Sequence, residues 1–184
     1  MVNIVKQARE RAETTRILSK HRIYTVIDIA GYIVNTNRNK GIRMRRNRLD
    51  MFLYFVQIQS MIHTGEPIFT STIFVRNHNR PYTECIDNYF GKKYKILSVP
   101  KFTIYWDTYK GISNLGKKLF NPHITMYDRE LLDDIIDELN AKSNHELRDE
   151  IAAHGLTHVA VQHRDMEITE RMMIDFCKNL NKKE

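Results

Sequence analysis

The chain has 184 residues, of which 42% are hydrophobic and 28% charged, and a net charge of +7. That length can bury a sizeable core in one domain, and the composition excludes disordered and fibrous classes. Cys85 and Cys177 are too few for a disulfide framework or a zinc knuckle, and the longest nearly apolar run, Met51 to Ile62, falls short of the roughly 20 residues of a membrane span.

The charge is unevenly spread. Residues 1–48 carry a net +9, residues 49–120 +4 and residues 121–184 −6. With no apolar signal-peptide core in MVNIVKQARERAETTR, the expected home is a reducing cytoplasm.

Residues 1–22 read as a helical extension with sparse apolar positions (Ile4, Val5, Ala8, Ala12). The first clear helix begins at Thr25, an N-cap residue with Asp28 three positions on, and carries Val26, Ile29, Ala30, Ile33 and Val34 at helical spacing. Gly41 and the Asn-rich stretch 35–39 end it. A second helix runs from about Met44 to His63, with Leu49, Phe52, Leu53, Phe55, Val56, Gln59 and Ile62 as one inward face. Gly65 and Pro67 stop it.

Residues 68–76, IFTSTIFVR, are β-branched and aromatic and predict a strand, followed by a turn over Asn77 to Arg80. Pro81 suits the first position of a short helix reaching Phe90. The runs Tyr94–Val99 and Phe102–Trp106 predict a hairpin, and Ser113–Phe120 a short helix. Tyr127–Leu139 is amphipathic, with Leu131, Leu132, Ile135, Ile136 and Leu139 inward and Asp133, Asp134, Asp137 and Glu138 outward. Ser143 with Glu146 makes a capping box for a helix through Ala153. Residues 155–168 read as irregular, and a last helix starts at Thr169-Glu170. The class is α+β, mainly α: a compact helical domain over 23–184 with a small antiparallel sheet or hairpin.

Catalytic patterns are missing. There is no nucleophile elbow and no phosphate-cradling glycine loop. His154, His158 and His163 have metal-like spacing, but Gly155 interrupts a helical pair and a surface loop accounts for them better. The paired carboxylates lie on the polar face of a helix, where charge is solvated. The expectation is no enzyme, no metal and no cofactor.

What stands out is cationic. Between Arg38 and Arg48 the chain carries Arg38, Lys40, Arg43, Arg45, Arg46 and Arg48 with no acidic residue, and Arg76, His78 and Arg80 form a second cluster near Tyr82. Arginine with tyrosine suits protein interfaces and single-stranded nucleic acid equally. The candidate contact residues are therefore Arg43, Arg45, Arg46, Arg48, Arg76, Arg80 and Tyr82, facing an anionic partner.

The segments VIDIAGYIVN, RLDMFLYFVQ, GEPIF with its strand, PYTECIDNYF and LLDDIIDELNAKSNHELRDEI follow in an order that resembles the Panacea domain, the SocA-like antitoxin and phage-associated family, over about residues 24–152. Two motifs differ. Val75-Arg76-Asn77 stands where the family usually has a Trp after the strand, and Arg80-Pro81-Tyr82 where it has Gly-Pro-Val. Ile151-Ala152 also replaces a Thr-His pair.

The resemblance implies a non-catalytic protein that binds and neutralises a cognate toxin, or a host or defence protein, by direct contact. One branch of the family resembles a protease adaptor. The family is widespread on phages and mobile elements. A basic nucleic-acid-binding regulator is the alternative, and no membrane partner is expected.

Overall fold

The computed structural model describes residues 23–76, 80–83, 86, 90, 124–162 and 166–180, and the backbone of 102–107 and 114–119. The N-terminal extension over 1–22 and the run Tyr94–Val99 lie outside the described residues.

The core is built around one helix. α1 (Val26–Asn39) and α2 (Arg46–Thr64) lead the chain, and α2 packs against α1, against α3 (Met126–Ala141), α4 (Asn144–His154) and α6 (Glu170–Leu180), and against strand β2 (Arg80–Tyr82). Because neighbours surround it, α2 is buried from Leu49 through Ile58 without a break, and Ser60 and Met61 follow. The one-sided face expected from its spacing is thus a correction: Met51, Tyr54, Gln57 and Ile58 are as covered as Phe52 or Leu53, while Gln59 and Ile62 are only half-buried.

Buried polar groups inside such a helix must find partners. Gln57 does so by holding the chain that follows the helix. Its Nε2 donates to the Phe69 carbonyl at 2.9 Å, and its Oε1 accepts from the Ile68 and Phe69 amides at 3.2 Å each. The segment is fixed from the other side by the Tyr24 amide, which donates to the Ile68 carbonyl at 2.8 Å, and by a parallel bridge between Tyr24 and Phe69.

The helix ends follow local chemistry. Thr25 accepts from the Asp28 amide and Thr125 from the Asp128 amide, and Ser143 and Glu146 complete the expected capping box. α2 and α4 both end on a glycine in the left-handed region, Gly65 at φ 79° and Gly155 at φ 73°, where a side chain is disfavoured. α5 (Leu156–Gln162) then occupies a stretch expected to be irregular: Leu156, Thr157 and Ala160 bury one side of it.

The main sheet has three antiparallel strands in the order β2-β1-β5, with β1 at Ile73–Arg76 and β5 at Glu167–Ile168. The strand expected over 68–76 is therefore shorter. Pro81 lies within β2 rather than at a helix start, and Arg80, assigned to a turn, opens that strand opposite Arg76. β2 is an edge strand, the position in a sheet that tolerates a residue without an N–H. Among the described residues that follow β2, Ile86 and Phe90 have helical backbone and are buried.

A separate ribbon pairs β3 (Phe102–Asp107) with β4 (Asn114–Leu119), from Phe102 opposite Leu119 to Asp107 opposite Asn114. The helix expected over Ser113–Phe120 is thus a strand over 114–119, and it pairs with 102–107. Among the described residues no helix is long and apolar enough to cross a membrane.

Candidate functional site

The seven candidate side chains separate into three kinds of environment. Arg46 is not on the surface at all, with only 1% of it exposed. Its Nε donates to Asp50 Oδ2 at 3.0 Å, one helical turn along α2, and its Nη2 donates to the Thr83 carbonyl at 2.7 Å. A buried guanidinium is tolerable only with an opposite charge and satisfied N–H groups, and this node provides both. Burial pushes the Asp50 carboxyl up from its usual range, and Arg46, with Arg76 further off, pulls it back. The node ties the first turn of α2 to the end of β2, and so links the segments that carry the two basic clusters, some 30 residues apart in the chain.

Arg48 also works inside the fold. It donates to the Leu139 and Lys142 carbonyls at 2.9 Å each and to Asn144 Oδ1 at 2.6 Å, while its guanidinium sits 5.0 Å from the Phe52 ring centre. The terminal carbonyls of a helix lack intrahelical partners and carry its negative pole, so a cation there satisfies α3 and bonds it to α4. Partial burial lowers the Arg48 pKa.

The remaining five residues can meet a partner. Arg43, Arg45 and Arg80 are exposed, and among the described residues none of the three has a carboxylate partner. Arg76 and Tyr82 are half-buried and stacked, with the guanidinium 4.0 Å from the ring centre, and Phe74 supports the ring from 5.6 Å. Arg76 and Arg80 are directly opposite in the β1–β2 register, a like-charge pairing that repels. Stacking on Tyr82 gives the Arg76 guanidinium a favourable place in that register.

The surface that results is a rigidly held, cationic, partly aromatic patch. It can attract and orient carboxylates or phosphates. Sequence reasoning missed Asp50, whose spacing of four from Arg46 was the available signal, and it missed the carbonyls of Thr83, Leu139 and Lys142, which leave no signal in side-chain identity.

The other candidates are occupied structurally. His154 Nδ1 lies 3.0 Å from the Tyr54 hydroxyl and His158 Nε2 3.2 Å from Gln162, on two helices separated by Gly155; His163 lies outside the described residues. Among the described residues no group of three or more His, Cys, Asp or Glu is placed to hold a metal ion. On α3, Asp133 accepts from the Tyr32 hydroxyl at 2.9 Å, which with burial pushes that phenol up to about 12. Asp137 pairs with Lys40, and Glu138 with Lys142 at 2.7 Å. No protein-family model matches the chain, and no curated protein or solved structure matches it.

Proposed function

We propose that this is a non-catalytic binding protein of the antitoxin type, which neutralises a toxin or another effector by direct protein contact in the cytoplasm. The observation that carries this reading is the division of labour among the arginines. Arg46 and Arg48 brace the fold, while Arg43, Arg45 and Arg80 stay exposed beside the Arg76–Tyr82 stack with no carboxylate partner among the described residues. Unmatched cations on a braced scaffold raise the encounter rate with an acidic surface and select against basic ones. The resemblance of residues 24–152 to the Panacea domain supports the antitoxin class and a phage or mobile-element origin.

The test is a pull-down from the native host with wild-type protein and with Arg43→Glu/Arg45→Glu, at two salt concentrations, with and without nuclease. The expected result is one stoichiometric protein that survives nuclease and is lost with the double variant. Recovery that vanishes with nuclease, or that collapses with moderate salt through counterion release, would replace this reading with a nucleic-acid-binding regulator. Equal capture by the variant would overturn the assignment of this surface.

A further inference from the structure

α6 is a lightly held helix. Only Met173 and Cys177 are fully covered; Met172, Ile174 and Phe176 are half-buried, and Lys178 to Leu180 are exposed. It packs on α2, where Cys177 Sγ lies 4.0 Å from the Ile58 carbonyl, and on α5, and it meets α4 in the ring contact of Phe176, 4.8 Å from the His154 ring centre. His154 is the last residue of α4. Its ring lies among three aromatic rings, with Tyr54 at 5.8 Å and Phe55 at 5.7 Å completing the set, and its Nδ1 faces the buried Tyr54 hydroxyl.

We propose that His154 is an acid-sensitive latch: its neutral imidazole holds α6 against α2, and its protonation releases the C-terminal helix. A neutral imidazole can accept the Tyr54 hydroxyl hydrogen at Nδ1. An imidazolium carries hydrogen on both nitrogens and can only donate, so the hydroxyl would have to turn its hydrogen elsewhere. Among the described residues no other acceptor is recorded for it. The charge would also lie half-buried, where the attraction of the rings for a cation offsets only part of the hydration it loses.

The groups around the imidazole do little to stabilise that charge. From α2, Tyr54 is held un-ionised by burial, and from α6 the Cys177 thiol is likewise pushed up. From α4 itself, Glu150 favours the cation, but its carboxylate is bonded to Lys142 at 2.8 Å, and Lys142 opposes the cation directly. The carbonyl end of α4 attracts a charged ring and moderates the effect. Desolvation is the largest influence, and His154 titrates below its ordinary value of about 6.5.

The latch is tested on the wild-type chain by following the His154 ring with NMR and the α6 amides by hydrogen exchange between pH 7.5 and 5.0. Between pH 6.5 and the depressed His154 pKa, α6 protection factors should fall about tenfold per pH unit, while α1 protection stays level. His154→Phe keeps a ring among the other rings and should flatten that slope. Protection of α6 that does not change through the His154 titration overturns the proposal, and so does an equal slope in wild type and His154→Phe. The wild-type measurement decides the matter even if the variant folds poorly.

Discussion

α2 is gripped at two places by opposite solutions to the same difficulty, a basic side chain inside the protein. At its first turn Arg46 cannot shed its proton, so the fold supplies a carboxylate from Asp50 and a carbonyl from Thr83. Two turns on, Tyr54 meets His154, which can be neutral, and the fold supplies a hydroxyl and three rings instead. The first clamp is permanent and braces the basic surface. The second holds only while a proton stays off.

The contrast can be broken from either side. The largest effect is expected at the ionic clamp: Asp50→Ala leaves Arg46 buried without its counter-charge and should cost about 3–5 kcal/mol in urea denaturation at pH 7.5. The paired replacement Arg46→Met with Asp50→Leu should recover most of that loss. If the single substitution costs as little as a surface change, Arg46 does not depend on Asp50.

At the aromatic clamp the dependence is on pH. Because the folded-state pKa of His154 is depressed, its contribution is complete above about pH 6.5 and is lost as pH falls through the folded pKa. Stability should decline over that interval at about 1.4 kcal/mol per pH unit in wild type, and His154→Phe should lack that share of the decline. Denaturation curves at pH 7.5, 6.5 and 5.5 check both.

Tyr54→Phe should cost about 1 kcal/mol at pH 7.5, the net worth of one hydrogen bond, since the ring packing is kept. The smallest effect is expected outside both clamps. Arg43→Glu with Arg45→Glu should change stability by no more than about 0.5 kcal/mol, because both side chains are exposed. A larger loss would place these arginines with Arg46 and Arg48 as structural residues.

Much of the helical frame was legible because its signals are local. Thr25 with Asp28, Ser143 with Glu146, Gly65 after α2 and the apolar spacing of α3 each act within one or two turns. The strands were less so. Ser113–Phe120 reads as a helix by itself, yet 114–119 pairs with 102–107, and that pairing is a long-range choice that local propensity does not record. Pro81 reads equally well at a helix start or on an edge strand, and only the neighbour β1 decides between them. The candidate surface was half legible: the cluster of arginines was plain, but not which of them face outward.

By itself the sequence determined the class of fold, the helix caps and the concentration of positive charge ahead of α2. Tertiary structure alone decided the fate of each charge. Arg45 and Arg46 are adjacent and chemically identical, and one is exposed while the other is buried. Arg45 is the extended residue just before α2 and Arg46 is the first residue of the helix, so the two side chains leave in different directions, and only that of Arg46 meets the Thr83 carbonyl of a chain segment almost forty residues away. Composition cannot encode that direction; packing can.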